Sequence, residues 1–233
     1  MSSPVLTIDG PGGAGKGTVS KRLAGELGWH LLDSGALYRL VGLAARNRQI
    51  DFRDIGQLTD IAKNLDVEFR VQEAGDLVQT WLEGQCVDAQ LRTESAGSDA
   101  SRVAAIPEVR DALLARQRAF SAPPGLVADG RDMGTVVFPD ATLKVFLTAS
   151  VEERANRRYK QLKEQGLSAN LRALQEEMEA RDRRDTQRAT APLKPADDAW
   201  VLDCTAIDAA GVVSMILERL HSVLSVRRIQ QQQ

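Results

Sequence analysis

The run Gly10-Pro11-Gly12-Gly13-Ala14-Gly15-Lys16 has the form G-x-x-x-x-G-K, a spacing suited to holding phosphate. Glycines let the backbone curl until successive N–H groups point inward at phosphate oxygens. A helix opening behind the loop adds partial positive charge. Lys16 brings a full charge to the β- and γ-phosphates of ATP. The candidate ATP-binding stretch is therefore Gly10 to Lys16 together with Gly17 and Thr18. One position departs from the common form, in which a Ser or Thr directly after the lysine ligates Mg²⁺. Gly17 stands there and Thr18 follows. Either Mg²⁺ is held through waters and acidic side chains, or Thr18 contacts a phosphate instead.

Acids close three apolar runs, at Asp9-Gly10, Asp33-Ser34 and Asp129-Gly130. Asp129 is the first choice for the water shell of Mg²⁺, because the strand it ends is where P-loop proteins carry such an acid. Asp33 is the second choice, and Asp9 is a further candidate. Arg39, Arg131 and Arg188 lie beside glycine-rich or acidic motifs. Planar guanidinium forks bind phosphate bidentately and offset the repulsion between a second phosphate and those of ATP. An arginine read alone is more often a surface charge. Arg154, Arg157, Arg158, Lys160 and Lys163 form a basic run at helical spacing. Such runs are usually solvated faces; the alternative is a lid that closes over phosphates, with Arg154 and Arg158 replaceable by alanine without loss of the fold.

Three further stretches carry a specific likeness. Leu31-Leu32-Asp33-Ser34-Gly35-Ala36-Leu37-Tyr38-Arg39, then Ala128-Asp129-Gly130-Arg131-Asp132-Met133-Gly134-Thr135-Val136-Val137-Phe138-Pro139, then Arg181-Asp182-Arg183-Arg184-Asp185-Thr186-Gln187-Arg188 with Ala191-Pro192-Leu193, occur in order behind the phosphate loop. In these motifs, and from Val5 to about Leu220, the chain resembles bacterial cytidylate kinases; the G-K-G-T form is itself closer to nucleoside monophosphate kinases than to GTPases. The resemblance implies transfer of the γ-phosphoryl of ATP to CMP or dCMP. It implies that Ser34 is a substrate-binding residue, that Arg39, Arg131 and Arg188 contact phosphate, and that Arg181 and Asp185 lie near the sugar hydroxyls. It also implies that Ser101, Arg110 and Asp132 read the cytosine edge, where an amino donor calls for a carboxylate and the acceptors for donors. From the residues alone, Ser101 serves equally well as a helix N-cap and Arg110 as a solvated charge. Lys16, Arg39, Arg131, Arg158 and Arg188 are the candidate catalytic residues. The alternatives are a kinase for UMP, AMP or another small molecule, or a P-loop switch. The switch lacks a guanine motif, since Lys63-Asn64-Leu65-Asp66 has its first two residues reversed.

The elements that position these residues alternate between strand and helix. Val5 to Ile8, Trp29 to Leu32, Leu126 to Ala128, Leu143 to Leu147 and Trp200 to Leu202 read as strands. Helical stripes fall over Lys16 to Leu27, Gly35 to Arg48, Glu94 to Ala105, Pro107 to Ser121, Val151 to Gln165, Ser168 to Arg184 and Val212 to Val226. That order predicts an α/β P-loop kinase fold with a parallel sheet covered by helices on both faces and a site at the carboxyl ends of the strands. Period-two alternation at Val67 to Val71 and Asp76 to Val87, around a turn at Gly75-Asp76, predicts a small antiparallel insertion over about 61–92. The expected organisation is one domain over 1–233, with that insertion on the nucleoside monophosphate side and lid and acceptor-binding helices at 151–188. The Gln230 to Gln233 end reads as disordered.

Composition narrows the classes. The 233 residues carry a net charge of −2, against the basic excess of a nucleic-acid binder. The two cysteines, Cys86 and Cys204, and the two histidines fit no metal spacing. The N-terminus lacks a charged leader pattern, and no uninterrupted apolar stretch spans a bilayer. A cytoplasmic monomer acting on small molecules, without nucleic-acid or membrane partners, is the expectation.

Overall fold

The computed structural model describes residues 3–71, 78–164 and 166–230. The turn at Gly75-Asp76 and the last three glutamines lie outside them. The chain forms two compact units: Met1–Asp33 with Arg118–Gln233, and Ser34–Gln117.

The first unit is built on β1 (Val5–Asp9), β2 (His30–Asp33), β6 (Leu126–Gly130), β7 (Leu143–Thr148) and β8 (Trp200–Asp203), all parallel in the order β2-β6-β1-β7-β8. β1 lies at the centre and every one of its residues is buried, as a strand covered on both faces requires. Leu6 and Ile8 pack with Val127, Val145 and Leu147 against Val19 and Leu23 of α1 (Lys16–Leu27) and Val212, Ile216 and Leu220 of α9 (Ala209–Gln230). Thr7 and Asp9 point to the opposite face by the two-residue period of a strand. There they meet a π-helical turn, Met133–Val137, which the sequence did not announce.

α1 ends where Gly28 turns left-handed, φ 64°, a conformation glycine adopts without steric cost. α7 (Val151–Glu164) and α8 (Leu171–Gln187) follow β7. α8 begins three residues later than its periodicity indicated, because Asn170 caps it by accepting the N–H of Ala173 at 3.2 Å. Within α9, Ala209–Val226 is long and apolar enough to cross a membrane by length and composition. Its Val212, Val213, Ile216 and Leu220 are buried in the core of the first unit.

The second unit holds α2 (Ser34–Asn47), α3 (Ile55–Lys63), an antiparallel sheet of β3 (Val67–Val71), β4 (Val78–Leu82) and β5 (Gln85–Cys86), then α4 (Asp88–Leu91), α5 (Glu94–Val103) and most of α6 (Pro107–Arg118). Val67 pairs opposite Leu82 as expected, but the second period-two segment breaks at Glu83-Gly84, both of positive φ, and Gln85–Cys86 folds back on β4. Ile61, expected at the edge of the insertion, lies in α3 instead. Asp54 starts that helix by accepting the N–H of Gln57 at 3.0 Å, and Leu58, Ile61 and Ala62 form its buried stripe.

The join of β1 to the phosphate loop tolerates no side chain. Gly10 has φ 148°, and a β-carbon there would fall 1.9 Å from the carbonyl oxygen of Leu147. Gly10→Ala is expected to lower unfolding free energy by roughly 2–5 kcal/mol, the sum of a disfavoured φ and overpacking, measured by urea titration of the purified variant.

Candidate active site

The phosphate loop leaves β1 and enters α1 through Gly15, φ 90°, with no acidic residue in the first helical turn to compete for the N–H groups. Lys16 is buried. Its Nζ donates to the carbonyl of Pro11 at 2.9 Å and lies 3.9 Å from Asp129 Oδ1. Burial, with Arg131 and then Arg181 adding like charge, lowers its pKa to about 7 against the pull of Asp129. Asp129 also faces the next residue: a β-carbon on Gly17 would lie 3.6 Å from its Oδ2. Asp33 sits in register with Asp129 on the neighbouring strand and is exposed. Thr18 is exposed and faces a cavity beside the loop.

Cations gather around Gly12. A β-carbon on that residue would lie 3.5 Å from Arg131 Nη2 and 3.6 Å from Arg181 Nη1. Arg154 Nη1 donates to the Gly12 carbonyl at 2.9 Å. Arg131 and Arg154 are restrained by carboxylates and carbonyl oxygens. Arg131 Nε donates to Asp185 Oδ2 at 3.0 Å and Arg188 Nη2 lies 3.7 Å from Asp132 Oδ1, so the neighbours Arg131-Asp132 make crossed ion pairs with residues three apart on α8 and its cap. Arg188 Nε also donates to the Ala191 carbonyl at 2.6 Å.

Arg154 differs from its expected place on a replaceable lid face. It is buried, and it donates to Asp182 Oδ2 at 2.6 Å and to the Ala149 carbonyl at 3.0 Å as well as to Gly12. Helical spacing gave the face of α7 but not its direction; Arg154 points into the protein, whereas Lys160 and Lys163 are exposed. Arg158 is half-buried and donates to Gln161 Oε1 at 2.8 Å.

Asp9 is also placed differently from a group free to hold a metal's waters. Both carboxylate oxygens accept backbone N–H groups, from Met133 and Gly134 at 2.8 Å each. Burial pushes its pKa up to about 7 although both bonds and the charge of Lys16 oppose the shift.

Sequence reasoning missed a cavity of about 480 Å³ between the phosphate loop and the segment after β8. Ala14, Gly15, Val19, Arg157, Cys204 and Ile207 line it, among others. Its size is in the range of small-molecule sites. Arg157 closes one side, donating to the Cys204 carbonyl at 2.7 Å and to Glu153 Oε1 at 2.8 Å. The available signal was the rule that α/β sites lie beyond the carboxyl ends of strands, applied to β8.

Ser34, Arg39, Ser101 and Arg110 belong to the second unit. Ser34 is buried and donates to Gln117 Oε1 at 2.6 Å. Arg39 is half-buried on α2. Ser101 is buried inside α5, whose N-cap is Thr93, so it is not a helix cap. Arg110 is buried rather than solvated; its Nη1 donates to the Ala104 carbonyl at 3.3 Å and its guanidinium stands 5.7 Å over the Tyr38 ring.

A five-stranded parallel sheet, a glycine loop leading into a helix, and lysine and arginines gathered at that loop define a P-loop phosphotransferase. The gluconokinase from Sinorhizobium meliloti 1021 has a similar fold, with a TM-score of 0.51 at 15% identity over 97% of each chain. The chain belongs to the cytidylate kinase family, whose profile matches residues 6–222. It is 58% identical to the cytidylate kinase of Pseudomonas entomophila over 97% of this chain and 99% of that one. It is 57% identical to that of Pseudomonas syringae pv. tomato over 98% of each.

Arg154→Ala would leave Asp182 and two carbonyls without their shared donor and is expected to cost about 3–5 kcal/mol. Arg158→Ala should cost less than about 1 kcal/mol. Parallel urea titrations of the two variants measure the difference.

Proposed function

We propose that this chain transfers the γ-phosphoryl group of ATP to CMP or dCMP, giving ADP and CDP or dCDP. The observation that carries the reading is the gathering of Lys16, Arg131, Arg154 and Arg181 at the phosphate loop, where together they can receive the charge of a polyanion. Family membership supplies the acceptor.

In this reading the N–H groups of the loop and Lys16 hold the ATP phosphates, and the cavity beside Arg157 takes the adenine. Arg39, Arg131 and Arg188 hold the acceptor phosphate, Arg181 and Asp185 the sugar, and Ser34, Ser101, Arg110 and Asp132 the rest of the nucleoside. Asp132 accepts from the cytosine amino group while Ser101 and Arg110 donate to its acceptors. The acceptor is already a phosphate anion, so a dedicated general base is unnecessary; positioning and charge stabilisation carry the reaction. The helices over 151–188 act as a lid, with Arg158 brought to the phosphates on closure. The protein works as a cytoplasmic monomer, one P-loop domain with an insertion over 61–92.

Among the described residues no three acids converge as a metal cage. Mg²⁺ keeps several of its waters and is commonly held by one or two carboxylates plus substrate phosphates. Asp129 and Asp33 would hold it through water, and Gly17 offers no hydroxyl to do so. When bound, the ion offsets charge on the β- and γ-phosphates.

ADP formation with Mg-ATP and a panel of CMP, dCMP, UMP, AMP, GMP or no acceptor tests the reading. Turnover should be fast with CMP and dCMP and lost in Lys16→Ala. Fast turnover with a different monophosphate alone would discard the roles of Ser101, Arg110 and Asp132.

A second expectation follows from the lowered pKa of Lys16. Phosphates favour its charged form, so ATP binding at pH 8 should draw up to about one proton from solvent, and affinity should fall as pH rises above about 7. Titration calorimetry in buffers of different ionisation enthalpy reads that uptake. Lys16→Met should abolish it.

A further inference from the structure

Asp9 is the last residue before the phosphate loop, and its side chain is spent elsewhere. The N–H groups that it accepts, from Met133 and Gly134, are the first two of the π-helical turn, donors that no carbonyl within a helix reaches. Asp132 occupies the N-cap position of that turn but makes no capping bond with its own side chain. The cap comes instead from another strand, and a carboxylate on two N–H groups is a strong form of it.

The same residue holds the other side of the motif. Through its backbone, Asp9 is the register partner of Gly130 at the end of β6. Arg131 and Asp132 therefore span the gap between two points that Asp9 fixes, Gly130 by strand pairing and Met133-Gly134 by the carboxylate. The turn lies flat on the sheet: a β-carbon on Gly134 would come within 2.9 Å of Thr7 Oγ1 and 3.1 Å of Lys144 Cδ. Turns of this kind occur often at functional sites.

We infer that Asp9 is a positioning residue, which fixes Arg131 and Asp132 relative to the phosphate loop that begins at Gly10. This role, rather than a place in the metal's water shell, is what the geometry favours, since each of its oxygens accepts a backbone N–H at 2.8 Å. The consequence for turnover rests on the reading of Arg131 and Asp132 given above; the tie itself does not.

Asp9→Asn keeps the shape but turns an amide NH₂ toward one of the two N–H donors, so one tie is lost. In the ligand-free protein, exchange of the Met133 or Gly134 amide should become about tenfold faster or more. With CMP as acceptor kcat should fall by about 10- to 100-fold, the scale of a small misplacement of reacting groups. Preference for CMP over UMP should fall with it, while KM for ATP and half-saturation by Mg²⁺ stay within about twofold. A rise in the Mg²⁺ requirement would overturn the inference by making Asp9 a metal-shell group. So would unchanged amide exchange with activity within twofold of wild type. If the variant does not fold, the wild type decides: rapid exchange of both amides would overturn the tie, and slow exchange supports it. Should the wild type prefer another acceptor, the functional reading fails while the exchange arm still judges Asp9.

Discussion

Positive charge crowded into a dry space is the condition that organises the first unit. Lys16 is buried with Arg131 and Arg181 close by, and its lowered pKa measures how reluctantly the protein concentrates that charge. Nearly every other feature of the site manages the cost. Asp129 stands near Lys16, Asp185 and Asp132 balance Arg131 and Arg188, and Asp182 with two carbonyls holds Arg154. The parallel sheet supplies the frame, since its strand ends bring Asp9, Asp33 and Asp129 to one edge. The helices after β7 bring the arginines back over the loop from more than a hundred residues away in the chain.

Legibility from sequence followed the range of the interaction. The phosphate loop, its strand and its helix were readable because seven contiguous residues carry the chemistry and its context together. The hairpin of β3 and β4 was readable from its period of two. Crossed pairing of Arg131-Asp132 with Asp185 and Arg188 was not, because it joins residues some fifty positions apart whose spacing says nothing of approach. Arg154 shows a subtler limit: periodicity identifies the residues that share a face of a helix, and leaves open which way that face turns. Ser101 shows the same limit in reverse, since a serine near a helix start looks like a cap until Thr93 takes that position. The cavity beside Arg157 has no motif at all, being made of backbone and small residues brought together by the order of strands.

The second unit carries a different kind of order. Arg110 and Ser101 are buried in it, with Arg110 held by a carbonyl and by the face of Tyr38. Asp99, two residues before Ser101, is buried and bonded by both nitrogens of the Arg46 fork that reach it. Polar groups are thus fixed in place by bonds within the unit; under the proposed reading such fixed donors would discriminate between bases, because a wrong base would leave them unmatched.

The crossed pairs on α8 have a kinetic meaning. An arginine already bonded to a carboxylate must exchange that partner for a phosphate, and the carboxylate remains tethered beside it at high effective concentration. Asp185 and Asp132 are therefore built-in competitors for the groups that Arg131 and Arg188 would hold. Under the proposed reading, such competitors would shorten the stay of any phosphate held there, trading tightness for ready exchange of a spent nucleotide for a fresh one.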